Sequence, residues 1–209
     1  VELINVNFKY GKLDVFKNLN FILKNNEKIG IYGASGSGKT TLVDIILNLI
    51  NIEKGTIKYS RKFNFNKVAY IPQEVFLFDD SIKSNIVNEL VDNKINNAKL
   101  LKSISQAELS NFLTKRSIGI DEQIGDKGIK LSGGQRQRVA IAKIFYNDPN
   151  VILLDEATSA LDSKTETTIL RRLFNKKNKT IVMITHRLSS LKLCDKVYEV
   201  RNKKLYLKK

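Results

Sequence analysis

The alternation of apolar and polar positions divides the chain into short strand and helix signals. Residues 2–8, "ELINVNF", and 15–23, "VFKNLNFIL", alternate with a period near two, as half-buried strands do. Residues 28–32, "KIGIY", form a short apolar run ending at Gly33, the pattern of a strand buried on both faces. Apolar residues then recur at helical spacing over 39–50, "KTTLVDIILNLI". Short strands are predicted at 55–60 and 67–72. From about 81 to 116 the stretches "SIKSNIVNELV", "INNAKLLKSI" and "AELSNFLTK" carry helical spacing without Gly or Pro, which predicts a small helical lobe. An irregular loop covers 118–130, and 131–147 reads as a loop running into a helix. "NVILLDE" (150–156) and "KTIVMIT" (179–185) read as buried strands on either side of a helix at 163–176. Ser163 and Glu166 have the spacing of a capping box for that helix. A short helix and a terminal strand pair close the chain. Strands alternating with helices predict an α/β fold with a mostly parallel sheet.

Composition narrows this picture only slightly. At 209 residues the chain can bury one sizeable core with a smaller lobe. No apolar run approaches the roughly 20 residues of a membrane-spanning helix, and no secretory leader is recognisable. The chain opens with Val1, which reads as a piece of a longer polypeptide. One cysteine, Cys194, excludes an internal disulfide and suits a reducing, cytosolic setting as a small buried residue. The formal net charge is +15, but the basic residues are scattered and not interleaved with aromatics, so no nucleic-acid partner is expected.

The candidate chemistry begins at "GASGSGKTT" (33–41). Gly33, Gly38, Lys39 and Thr40 fit G-x-x-x-x-G-K-[ST] with a strand before and a helix after. Glycines at 33, 36 and 38 free the backbone to aim successive N–H groups at one anion, and the helix adds its positive end. Ser35, Ser37 and Thr41 belong to the same candidate cradle. Lys39 supplies a full charge for β- and γ-phosphates, and the Thr40 hydroxyl suits Mg2+, a cation that prefers oxygen. "VILLDE" ends a buried strand in Asp155, placed for the Mg2+ shell, and Glu156, placed to polarise a water for attack on the γ-phosphorus. "LSGGQ" (131–135) has a capping-box spacing from Ser132 to Gln135. Yet Gly133 and Gly134 in a first helical turn disfavour the helix by up to ~1 kcal/mol each, which points to bare backbone for a second anion contact.

Together these segments resemble the nucleotide-binding domain of ABC transporters over essentially the whole chain, with "LSGGQ" matching that family's signature in full. The resemblance implies a P-loop NTPase (RecA-like) core, a small antiparallel β lobe and a helical subdomain, with 1–209 as a single ATPase domain. Residues 1–78 and 148–209 would form the β lobe and core, and 79–147 the helical subdomain with the signature helix. It implies ATP and Mg2+ as ligands, adenine stacking by Tyr10, and contact of Gln73 with Mg2+ and the attacking water. It assigns "SALD" (159–162) to the D-loop and His186 to the γ-phosphate. Catalysis would rest on Glu156, His186 and Gln73; metal binding on Thr40, Gln73 and Asp155; nucleotide contact on the 33–41 loop and, from a partner, on Ser132, Gly133, Gly134 and Gln135. In the family two such domains form a head-to-tail dimer, here a homodimer or pseudo-dimer.

"EQIGDKG" (122–128) and "LFDDSIKSNI" (77–86) are similar to exporter segments that touch a transmembrane domain. They imply the ATPase part of a half-transporter on the cytoplasmic face of the inner membrane. Two departures stand out: only 17 residues separate Gly55 from Gln73, so the antiparallel lobe should be small, and Asp126 stands where the family favours Glu. The alternative reading is a soluble ABC ATPase acting in translation or another non-transport role. The cargo is not encoded in these residues.

Overall fold

The structure, a computed structural model, describes residues 1–87, 95–115 and 119–209. Nine strands and seven helices are named here in chain order. The strands are β1 (Glu2–Tyr10), β2 (Leu13–Ile22), β3 (Lys28–Gly33), β4 (Lys54–Lys58), β5 (Val68–Ile71), β6 (Val151–Asp155), β7 (Thr180–Ile184), β8 (Lys196–Arg201) and β9 (Lys204–Leu207). The helices are α1 (Lys39–Ile46), α2 (Ile82–Val87), α3 (Asn97–Gln106), α4 (Ser110–Leu113), α5 (Gly133–Asn147), α6 (Ser163–Phe174) and α7 (Leu188–Leu191). The chain divides into two compact units.

The first unit comprises Val1–Tyr70, Asn150–Glu156 and Lys177–Lys209. Its larger sheet has the order β5-β6-β7-β3-β8-β9. β3 runs parallel to β7 and β8, β6 runs parallel to β7, and β8–β9 closes as an antiparallel pair. β6 and β7 are buried at every residue, as their unbroken apolar runs require of strands covered on both faces. The smaller sheet, β2-β1-β4, is antiparallel throughout. Leu3, Phe16, Leu19, Ile29, Ile31, Leu42, Ile45 and Ile184 are all 1% exposed or less and belong to one hydrophobic cluster. α1 stops at Ile46 rather than continuing to 50. Asn48 takes a left-handed conformation (φ 57°), and its N–H and that of Leu49 turn back to the carbonyls of Ile45 and Asp44. Asparagine tolerates that conformation by bonding locally, so it ends the helix where the apolar periodicity would have carried it on.

The second unit comprises Ile71–Pro149 and Ala157–Lys176. The helical reading of 81–91 holds over α2; residues 88–91 lie outside the described residues, as does Ile118 of the 118–130 loop. α3 and α4 are separated by Glu108 at φ 57°, and α4 covers four residues only. The sequence grouping of 79–147 leaves out Ala157–Lys176, which makes its contacts with the helical unit: Arg172 pairs with Glu108 at 2.6 Å, for example. The predicted Ser163–Glu166 capping box is not formed. Asp162 caps α6 instead, its carboxylate accepting from the N–H groups of Lys164 and Thr165 at 3.1 and 3.0 Å. A carboxylate at the N-cap satisfies two free donors and meets the helix dipole, which leaves the Glu166 side chain free to turn inward.

Candidate functional site

β3, β6 and β7 are neighbours running in one direction, so the loops leaving their carboxyl ends lie along one edge of the sheet. That edge is where open α/β sheets bind ligands. β3 feeds the 33–41 loop, β6 ends in Asp155 and Glu156, and β7 leads into His186.

The loop is shaped by two glycines with no room for a side chain. A Cβ on Gly33 would stand 2.5 Å from the carbonyl oxygen of Val200. One on Gly38 would stand 2.6 Å from Val15 Cγ1, on a backbone with φ 103°. Gly38 also occupies the N-cap of α1, where no side chain takes up the first helical N–H groups. The cradle therefore presents uncapped donors at the positive end of a helix. Lys39 is 7% exposed, and its Nζ folds back to donate to the carbonyls of Gly33 and Ala34 at 3.0 and 2.9 Å. Ser37 Oγ is buried in this loop with no hydrogen-bond partner. A buried hydroxyl left unbonded costs free energy until a ligand satisfies it. Ser35, Gly36 and Thr40 are exposed along the loop, and Thr41 is turned into the interior.

Thr40 Oγ1 donates to Asp155 Oδ2 at 2.6 Å. Asp155 is 1% exposed. Burial raises its carboxyl above the ordinary value, against the Thr40 hydrogen bond, which acts the other way. Asp44, one helical turn beyond Thr40, is also raised, first by burial and then by the charge of Asp155. Next to Asp155, Glu156 is held at φ 50°, an uncommon conformation for a non-glycine residue, with its N–H on the carbonyl of Ile184 at 3.1 Å. His186 Nε2 lies 2.9 Å from Glu156 Oε1. The turn after β7 that carries the imidazole is braced by Thr185, whose hydroxyl accepts from Arg187 N at 3.0 Å. Tyr10, at the end of β1, is half exposed and stands edge-on to Phe8 with centroids 4.8 Å apart.

The remaining candidates belong to the second unit. Ser132 and Gln135 do form the reciprocal capping box: Ser132 Oγ accepts from Gln135 N at 3.3 Å and Ser132 N donates to Gln135 Oε1 at 2.8 Å. Gly134 has a packing reason of its own, because a Cβ there would lie 2.8 Å from the carbonyl oxygen of Ala160. Ser132, Gly133, Gly134 and Asp162 share in lining a cavity of about 350 Å3. Gln73 is exposed and lines a separate cavity of about 750 Å3 with Phe76, Ile129, Arg136 and Gln137. One residue the motifs do not reveal is Gln137, 5% exposed in the buried stripe of Ile141, Ile144 and Phe145 on α5. A polar residue in an apolar stripe was its only signal.

Comparison with known proteins matches this geometry to one family. The family model described as "ABC transporter" matches residues 16–159. A Rickettsia prowazekii protein, itself assigned by inference as an export ATP-binding/permease protein, is 38% identical over 207 residues, covering 93% of this chain and 36% of its own length. The glutathione/L-cysteine transport system ATP-binding/permease protein of Haemophilus influenzae is 34% identical, covering 96% of this chain and 37% of its own length. A solved bacterial Atm1-family ABC exporter with ATP bound superposes with a TM-score of 0.88 at 29% identity, over 98% of this chain and 37% of that one. The chain thus spans little more than a third of the length of these relatives. With its glycine cradle, parallel sheet and family match, the chain belongs to the ABC transporter family and is an ATPase domain of that family.

Proposed function

We propose that this domain binds MgATP in the 33–41 loop, hydrolyses it together with a second copy, and so powers export by a half-transporter at the cytoplasmic face of a membrane. The observation that carries the reading is the cradle itself: uncapped helix donors, the folded-back Lys39 ammonium and the unpartnered Ser37 hydroxyl share one loop. Export is supported by the relatives, named as ATP-binding/permease proteins and matched here over about a third of their length.

Thr40 and Asp155 fit a divalent cation. A carboxylate 1% exposed, raised by burial and bonded to a hydroxyl, gains most from a hard cation that prefers oxygen ligands. Bound there, Mg2+ would neutralise charge on the β- and γ-phosphates. Lys39 leaves the Gly33 and Ala34 carbonyls for phosphate oxygens, and Tyr10 offers its exposed face to the base. Glu156 orients a water and accepts its proton at the carboxylate, while His186 Nε2–H steadies Glu156 before turning to the γ-phosphate. The second copy contributes Ser132, Gly133, Gly134 and Gln135 to the same triphosphate. Hydrolysis removes the bridging γ-phosphate, the pair opens, and that movement is passed to the transmembrane domain.

Glu156→Gln tests the reading. Phosphate release should fall by about a hundredfold or more, the usual share of a positioned base, while ATP affinity is kept. Turnover at the parent rate would show that water activation lies elsewhere.

A further inference from the structure

The turn that follows β6, residues 157–162, is anchored by several hydrogen bonds within its own unit. Thr158 Oγ1 donates to Glu166 Oε1 at 2.8 Å, and both side chains are buried. Gln137 holds the next two residues: its Nε2 donates to Ser159 Oγ at 3.1 Å and its Oε1 accepts from Ala160 N at 3.0 Å. Leu161 is buried with its N–H on the Thr158 carbonyl at 3.1 Å, and Asp162 caps α6. Ala160 also lies directly against Gly134, where any side chain would collide with its carbonyl. Ser132, Ser159 and Ala160 are nevertheless exposed. A buried amide is costly unless bonded, and Gln137 meets that requirement through this turn.

We propose that Gln137 is a positioning residue that locks the 157–162 turn onto the start of α5, so that the turn and residues 132–135 meet the second copy as one preformed surface. The inference rests on the two-copy reading above and adds to it the device that prepares the contact. Without Gln137, Ala160 N and the Ser159 hydroxyl each lose a hydrogen bond that fixes the turn, and association must order it more fully at its own entropic cost.

The test uses the 209-residue chain carrying Glu156→Gln, so that ATP is held rather than consumed, with Mg2+ present. Sedimentation velocity measures ATP-dependent dimerisation. Calorimetry at dilutions that keep the protein monomeric measures affinity for a non-cleavable ATP analogue. Gln137→Met, which keeps the volume and removes the bonds to Ser159 Oγ and Ala160 N, should weaken the dimer about tenfold and leave monomer affinity unchanged. Ser159→Ala removes one of the two bonds and should weaken it about threefold; in the double variant the losses should not add, because the bond is shared. Should Gln137→Met fail to fold, Ser159→Ala carries the test alone, its exposed position leaving the core intact. Dimerisation equal to that of the Glu156→Gln background, or a matching loss of monomer affinity, would overturn the assignment of Gln137. A background that never dimerises with ATP would instead overturn the two-copy reading, and this inference with it.

Discussion

Replacing Asp155 by Asn should make the nucleotide-free protein more stable and the metal site poorer, two effects of opposite sign from one substitution. Asp155 is 1% exposed, and burial is the largest influence on its carboxyl, pushing it up. The Thr40 bond at 2.6 Å opposes this, but an amide oxygen accepts from the same hydroxyl, so only its charge-assisted part is lost. Relieving a buried charge at a functional site commonly stabilises by about 1 kcal/mol, which for a chain of this size shifts Tm by about 2–4 °C. The pH dependence follows in sign. A carboxyl raised in the folded state binds its proton more tightly there than in the unfolded chain. Its penalty is absent below the ordinary carboxylate range and grows as pH rises through the raised value. Asn carries no such penalty, so the gain in Tm should be near zero at about pH 3, below the ordinary carboxylate range, and should grow as pH rises toward neutrality. Thermal unfolding without nucleotide or Mg2+ measures this. In parallel, the Mg2+-dependent part of ATP affinity should fall at least tenfold or so, since a carboxylate ligand has gone. A variant less stable than the parent at pH 7, or one that keeps its Mg2+ dependence, would refute the argument.

Gly38→Ala should cost about 2–4 kcal/mol, combining a left-handed backbone with a Cβ 2.6 Å from Val15 Cγ1; urea unfolding that leaves the midpoint unmoved would contradict it. Cys194 is 2% exposed and burial pushes its thiol up to about 12. Iodoacetamide at pH 8 should therefore label it only as fast as the chain opens, and rapid labelling of the folded protein would show the burial to be wrong. Tyr10→Ala should weaken ATP binding about tenfold, the worth of one aromatic stack, with little effect on stability because the residue is 52% exposed; unchanged affinity would remove it from the base site.

The sequence made the strands easiest to see, because "VILLD" and "TIVMI" are unbroken apolar runs that only a doubly covered sheet accommodates. Helix ends were harder. Asn48 stops α1 through a left-handed turn, and Glu108 breaks α3 from α4 in the same way, neither of which periodicity can register. At α6 the cap is Asp162, one residue before the Ser163 that the spacing favoured, because its carboxylate bonds two N–H groups at once. In the site, the glycine cradle is local and was legible as a motif. The Thr40–Asp155 and His186–Glu156 contacts join residues far apart in sequence, and only the strand order β6-β7-β3 brings them together. Gln137 was hidden because its significance lies in the turn it holds, not in its neighbours along the helix.

The proposed function requires the 33–41 loop to receive a triphosphate. A crystal structure of the chain with Mg2+ and a non-cleavable ATP analogue tests it most directly. There Lys39 Nζ should stand withdrawn from the Gly33 and Ala34 carbonyls and bonded to phosphate oxygens, with the metal beside Thr40 Oγ1 and Asp155. A terminal phosphate bound outside the loop, with Lys39 still on those two carbonyls, would contradict it.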